Sequence, residues 1–597
     1  MKLGKLCLVS CLLIVASLVV ASCASQTTTT PPPQTTTQTQ ATTTAVQTSV
    51  PTTPQYGGTV TIALAREPSG FDESISQPGD AFTLHLTNQE LFLGDWTKGA
   101  AGTGQATWAS GSVRKISLST GGLAESWEVT VPNKTLVFHL RKDVRFALNP
   151  SSEASRLVNG REVTAKDVAT VLNKYITTPR SPLSLGDTRK AIITAIGTYD
   201  LSVTLPEENF SDMDIIGDYA DVDFAPELWT KYGNLTDWRN NVGTGPFILT
   251  DYVNSSSATL KKNPNFAGTD PVGPGKGNKL PYVDTVKFVM IPDASTRISA
   301  LRAAKVDILN AVFWEDAKSL RQTHPMLSEY KYYEDSGLAI NMRTDKPNLP
   351  YKDKKVRQAL MMATDFETIK NTWAGGEGQV VTFPILKVPE YADAYCSIEE
   401  ASPAAQELYK YNVEKAKALL KDAGYPNGFS AKVAASTTAV DYLSIIKQMW
   451  AKVNVDLTIE PKEFGVYMGI FWGRAYDDMM CGGPGPVANL YIAFSFVTGP
   501  AGANFSYVDE PVAKEAKQKM MAVALTNTTE ADRLHKELMK YMLEQATSIP
   551  GVAPPSYHMW WPWVKNYHGE SSLGYTNFPN YLRYVWIDQA GKVALGK

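Results

Sequence analysis

The sequence predicts an α/β protein built on mixed sheets. Three observations carry that reading: strand-like alternation where the folded part begins, capped amphipathic helices interleaved with further strands, and no strict internal repeat. Val60, Ile62 and Leu64 alternate with smaller or polar residues, the period-two pattern of a strand. Residues 136–140 read as a second strand, entered through the turn Val131-Pro132-Asn133-Lys134. Residues 164–176 have helical character, with Thr164 as N-cap and Asp167 placed for a capping box. Val168, Val171, Leu172 and Tyr175 then share one face. Residues 201–205 return to strand. Downstream, residues 293–305 and 353–362 read as helices, the second with Val356, Ala359, Leu360 and Ala363 inward. Residues 412–423 form a helix closed by Gly424 and followed by Pro426. Residues 437–453 form another, ahead of a strand at 455–459.

A chain of 597 residues exceeds the usual size of one domain, so two or three lobes are expected. Hydrophobic residues at 43% and charged residues at 20% are ordinary for a globular protein. A net charge of -3 excludes the basic surplus of a nucleic-acid binder. The 13 Trp and 27 Tyr fit either a ring-lined cleft or a well-packed core.

The N-terminus is informative. Lys2 and Lys5 precede an apolar stretch over residues 6–20, which is signal-peptide length and short for a membrane span. It ends in Val20-Ala21-Ser22-Cys23, which resembles a bacterial lipobox and makes Cys23 the expected lipidated residue, with residues 1–22 removed. An ordinary secretory signal is the alternative. Residues 24–55 are almost entirely Thr, Gln, Pro, Ser, Ala and Val, so 23–55 reads as a lipidated, disordered tether. Cys7 and Cys11 fall in the signal, leaving Cys396 and Cys481 as either a disulfide or two thiols.

An ordered set of motifs then points to one family. It runs Leu123-Ala124-Glu125-Ser126-Trp127-Glu128-Val129, His139-Leu140-Arg141-Lys142-Asp143-Val144-Arg145-Phe146 and Asn159-Gly160-Arg161-Glu162-Val163-Thr164. Gly243-Thr244-Gly245-Pro246-Phe247, Lys262-Asn263-Pro264-Asn265-Phe266, Ala300-Leu301-Arg302-Ala303-Ala304-Lys305 and Lys355-Val356-Arg357-Gln358-Ala359-Leu360 follow in order. The set resembles the family 5 extracellular solute-binding proteins, the dipeptide, oligopeptide and nickel type that serve ABC importers. The resemblance implies a periplasmic-binding-protein-like type II fold with three lobes and a hinge between lobes I and III. The implied boundaries are 56–93, 225–336 and 547–597 for lobe I, 94–224 for lobe II and 337–546 for lobe III. Chain crossings near Glu334-Asp335-Ser336 and Thr547-Ser548 would form the hinge. Most motif residues have structural expectations: Trp127 between the hairpin and the adjoining helix, Gly243 and Gly245 for a tight turn, Arg141 and Arg145 paired with carboxylates of their own lobe.

By the same resemblance, the pocket walls are the loop after the first strand, with Glu67 and Phe71, then Phe313-Trp314, Asn341, and a late glycine-rich loop containing Met480, Cys481, Gly482, Gly483 and Pro484. Trp373, Trp472 and Tyr557 join them as rings suited to enclosing a ligand. The late loop departs from the peptide binders: Pro484 stands where they carry Trp, and no acid follows to pair with a peptide ammonium. An oligosaccharide therefore stands beside an oligopeptide as the expected ligand. The six histidines show no metal-ligand spacing, so neither a metal nor a cofactor is expected.

No HExxH or GxSxG motif is present, and S-x-x-K at Ser112-Val113-Arg114-Lys115 and Ser444-Ile445-Ile446-Lys447 lacks its companion motifs. The expectation is a monomeric binding protein and not an enzyme. It would be held at the outer face of the cell membrane, or in the periplasm, by lipid on Cys23, and would pass solute to an ABC permease. A sensor or chaperone partner without import is the alternative.

Overall fold

The computed structural model describes residues 53–597 except 77–80, 112, 131–134, 180–187, 206–216, 219–220, 334–337, 383–384, 386, 483–496, 499–503, 525 and the side chain of Trp472. Cys23 and the tether up to residue 52 therefore lie outside the described residues, as do Gly483, Pro484 and the crossing at 334–336.

Strand Thr59–Leu64 sits at the centre of a seven-stranded sheet, with Val60 and Ile62 fully buried. The sheet order is Ser328–Tyr333, Pro555–Trp560, Ile308–Phe313, Thr59–Leu64, Thr285–Met290, Ser257–Lys262 and Phe247–Val253. Thr59–Leu64 runs parallel to both of its neighbours, and the outer pairs are antiparallel. A wholly antiparallel four-stranded sheet joins Ala124–Thr130, Thr135–Leu140, Asp200–Thr204 and Ile192–Ala195. Helix Ala165–Thr177 covers it, and its capping box forms as the sequence indicates, with Thr164 donating from both its backbone N and Oγ1 to Asp167. A five-stranded sheet orders Val455–Lys462, Phe429–Ser436, Met479–Cys481, Ile340–Met342 and Ser548–Ile549. Its helices Lys354–Met362 and Val413–Asp422 start at the caps Asp353 and Asn412.

Each sheet has its own apolar core. The core of the seven-stranded sheet also takes in Val381, Tyr391, Tyr395 and Cys396, and Met539 and Leu543 of helix Thr528–Gln545. The aromatic run near the C-terminus is core: Trp560, Trp561 and Trp563 are buried.

Trp127 packs its ring on Phe92 at 5.1 Å, at the margin of the core that also holds Val168, Val171 and Leu172 of helix Ala165–Thr177. Several further motif residues do other work than the sequence suggests. Arg141 donates to the carbonyls of Gly121 and Gly122, and Arg145 to that of Gly160, and among the described residues neither pairs with a carboxylate. Gly243 and Gly245 serve close approach: an added Cβ would meet Thr87 O at 2.3 Å and Leu86 O at 2.6 Å. Cys396 and Cys481 are both buried free thiols in different cores.

Candidate ligand cleft

In open α/β sheets, ligands bind beyond the carboxyl ends of the parallel strands, where loops leave the sheet with unpaired backbone groups. The candidate residues fall at such ends in two sheets. The loop with Glu67 and Phe71 leaves Thr59–Leu64, and Phe313-Trp314 ends the parallel neighbour Ile308–Phe313. On the other side, Met480 and Cys481 end Met479–Cys481, which runs parallel to Phe429–Ser436.

Glu67 is the acid of the first loop. Tyr252 Oη and Ser255 Oγ donate to its carboxylate, and these bonds hold it below its usual carboxyl value, so it is ionised at neutral pH. Phe71 is buried edge-on against Tyr252. Trp314 opens helix Trp314–Thr323 directly after its strand, and its ring packs on Gly375. An added Cβ at Gly375 would lie 2.8 Å from that ring, and the backbone there is left-handed at φ +62. Phe313 is exposed beside it.

Around this point a charged network joins strand Ser328–Tyr333 of the seven-stranded sheet to the segment that leads into Gln379–Val380. Lys331 pairs with Glu377 at 2.7 Å, Tyr333 Oη donates to the Glu377 carbonyl at 2.7 Å, and Tyr557 Oη lies 3.4 Å from Glu377 Oε2. The Lys331 ammonium lowers the Glu377 carboxyl pKa. The Arg321 guanidinium lies 4.4 Å over the Tyr557 ring. A cleft of about 710 Å³ opens next to Tyr333, Gly378 and Gln379, with Lys387, Tyr395 and Lys536 in its wall.

In the five-stranded sheet, Asn341 pairs with Met480 and Ile340 with Cys481. Asn341 Nδ2 donates to Gly482 O at 2.6 Å, and Ser506 Oγ donates to Asn341 Oδ1. Tyr467 Oη donates to Cys481 O. Asn341, Met480, Cys481 and Gly482 therefore form one unit, in which Asn341 fixes the start of the late loop. Burial pushes the Cys481 thiol up to about 12, so it is an unreactive thiol. Trp373 sits edge-on against Tyr442 at the margin of the same core. The backbone of Trp472 lies in helix Phe464–Gly473. The two acids before the late loop are engaged: Asp477 pairs with Lys346 at 2.7 Å, and Asp478 accepts from Lys432 N.

Sequence reasoning missed Tyr252, Ser255, Lys331, Glu377 and Ser506. Only the Gly375-Gly376-Glu377-Gly378 run offered a local signal; the others are joined by pairing between distant segments, with Lys331 and Glu377 46 positions apart.

The fold is an α/β architecture on mixed sheets, with the candidate residues gathered at strand ends in two of them. The chain belongs to the bacterial extracellular solute-binding proteins of family 5, whose model matches residues 120–491. It is thus an extracytoplasmic solute-binding protein of the ABC-importer type, and not an enzyme. It is 28% identical over 417 residues to the dipeptide-binding protein of Escherichia coli, covering 64% of this chain and 72% of that one. It is 27% identical over 499 residues to the heme-binding protein A of Haemophilus influenzae, covering 76% and 82%. Among solved structures, the periplasmic binding protein DppA of Helicobacter pylori in complex with the peptide STSA superposes with a TM-score of 0.65 at 21% identity, over 90% of this chain and 99% of that one. CtaP of Listeria monocytogenes gives 0.69 at 17% identity, over 90% and 100%. These two share the fold. Among the described residues, no helix is long and apolar enough to cross a membrane.

Proposed function

We propose that this protein captures a short peptide-like solute between the seven-stranded and five-stranded sheets and delivers it to an ABC permease. The observation that carries this reading is the placement of Glu67, Phe71, Phe313 and Trp314 at the carboxyl ends of parallel strands in one sheet, with Met480, Cys481 and Gly482 at the corresponding end in the other. A solute touching both sides favours their approach, because only the closed arrangement offers both sets of contacts. Trp314 and Trp373 each carry a buried indole N–H without an acceptor among the described residues, donors suited to a carbonyl or hydroxyl. The ionised Glu67 is the counter-charge for an ammonium group. The relatives' printed names, which include dipeptide- and di/tripeptide-binding proteins, support a peptide class.

A second reading, an oligosaccharide or other neutral solute, is favoured by one observation: Asp477 and Asp478 are already spent on Lys346 and Lys432, and no acid follows them in the late loop. Mass spectrometry of material released from the purified protein decides between them. Release of short peptides, with Glu67→Gln weakening their binding at least tenfold in calorimetry, is the expected result. Release of a glycan, with Glu67→Gln without effect, would replace the first reading by the second.

The three-lobed division, the hinge at the two crossings, and the monomeric state belong to the same proposal. So does attachment at the outer membrane face through lipid on Cys23: Cys23→Ala should move the protein from the membrane fraction to the soluble one.

A further inference from the structure

At the neck between the seven-stranded and four-stranded sheets, a histidine and three carboxylates meet away from solvent. His85 belongs to the short helix Leu84–Thr87, Glu90 follows it, and Asp221 lies where the chain returns from the four-stranded module. All three are at most 1% exposed. His85 Nδ1 stands 3.1 Å from Asp221 Oδ2 and 3.4 Å from Glu90 Oε1, and one donor atom from each residue fits within 4.8 Å of the others. Glu73, 2% exposed, reaches the same place and accepts from Asp221 N through Oε2.

The neighbouring acids show what a settled carboxylate looks like here. Asp72 accepts from Trp229 Nε1, Leu235 N and Ser74, and Asp223 accepts from Gln89 N and Thr244. By contrast, Oδ1 of Asp221 and Oε1 of Glu73 have no hydrogen-bond donor among the described residues, and Asp221 Oδ2 and Glu90 Oε1 face only His85 Nδ1. Buried carboxylates without donors cost several kcal/mol each unless a cation meets them. Ligands of a small divalent ion at 2.0–2.2 Å stand about 3.3 Å apart in a tetrahedral set, which matches the two distances from His85 Nδ1. One imidazole with carboxylates suits a borderline ion such as Zn²⁺ or Mn²⁺ better than the all-oxygen ions Ca²⁺ and Mg²⁺.

We infer that His85, Glu90 and Asp221, with Glu73 beside them, form a structural site for a first-row divalent cation that fastens the inserted four-stranded module to the rest of the body. Glu90 and Asp221 lie on the outgoing and returning passages of the chain, so one ion ties both. The site is separate from the cleft and does not depend on which solute the cleft takes.

Because the donors are buried, loading accompanies folding. The full chain is unfolded in denaturant with chelator, then refolded with Zn²⁺, with Mn²⁺, or with chelator alone, and bound metal is measured by mass spectrometry after dialysis. One equivalent retained, with a melting temperature several degrees above the chelator-refolded protein, is expected. His85→Gln and Asp221→Asn should each lose the bound metal and the metal-dependent rise in melting. His139→Gln, at an exposed ion pair with Asp200, should keep both. Refolding to the same melting temperature without any ion, or metal retained equally by His85→Gln, would overturn the proposal and leave the cluster to protons or buried water.

Discussion

The seven-stranded sheet meets its two neighbours through different chemistry. Towards the four-stranded module it buries charge: Asp72 holds Trp229 and Leu235, Asp223 holds Gln89 and Thr244, and His85, Glu90 and Asp221 converge without exposure. Around Trp314, facing the five-stranded module, its charges stay near water, although elsewhere Glu390 is buried against Thr107 and Trp108 and Lys115 pairs with Asp532. Lys331 and Glu377 are 37% and 56% exposed, and Trp314 packs on Gly375. Separating the first interface strands buried polar groups, each at about 1–3 kcal/mol. Separating the second rehydrates an ion pair worth about 1 kcal/mol or less. Under the proposed function, the first interface is the one expected to persist and the patch around Trp314 the one expected to open and close.

The largest effect should come from attacking the persistent interface. Asp72→Ala leaves the N–H groups of Trp229, Leu235 and Ser74 buried without an acceptor. Loss of about 3 kcal/mol of unfolding free energy is expected, readable from denaturant midpoints. A change below about 0.5 kcal/mol would remove the contrast.

Acid should probe the body through His558. Its Nε2 donates to Ala109 O, and burial pushes its pKa down to about 4, as burial also does for His535. The folded state then binds fewer protons than the unfolded one between pH 6.5 and 4, so these groups withdraw stability as pH falls through that window. Burial raises Asp218 and Asp223 to about 7, which acts with the opposite sign: their contribution grows as pH falls from 7 towards 4. The wild-type curve should therefore be shallow. His558→Gln should gain on it by about 1.4 kcal/mol per pH unit below 6.5, measured as urea midpoints from pH 7.5 to 4.5. Parallel curves would refute the assignment.

The smallest stability effects, with the clearest functional ones, belong to the opening interface. Gly375→Val places side-chain atoms against the Trp314 ring and should keep the sheets apart. Solute affinity should fall at least tenfold, with scattering curves that no longer contract on ligand addition. Glu377→Gln should cost about 1 kcal/mol or less and make the affinity less sensitive to salt. Equal losses of stability from both substitutions would mean that this interface is no more yielding than the other.

What could be read in advance was whatever a short stretch of chain decides by itself. Thr164 and Asp167 cap their helix within one turn, and Val60, Ile62 and Leu64 show their sheet by alternation. Glu67, Trp314 and Asn341 came through family resemblance; the structure sets Glu67 and Trp314 just beyond strand ends and Asn341 within Ile340–Met342, bonded to the Gly482 carbonyl. Pairings across the fold left no local trace. Nothing in the order of residues ties Glu377 to Lys331, or Asp221 to His85, and no metal-ligand spacing marks the buried cluster. Gly243 and Gly245 were legible as necessary but not for what they do, because the atoms that exclude a Cβ belong to residues 86–88.

The returning passage between the sheets is short. Ser548–Ile549 is paired inside the five-stranded sheet, Pro555–Trp560 inside the seven-stranded one, and only residues 550–554 run between them, with prolines at 550 and 554. Even here Val552 and Ala553 pair with Val380 and Gln379. Drawn out straight, such a span reaches about 18 Å at most, and its prolines leave little slack. A link this short keeps Ile549 and Pro555 within that reach of each other, so the ends of the two sheets that it joins stay neighbours.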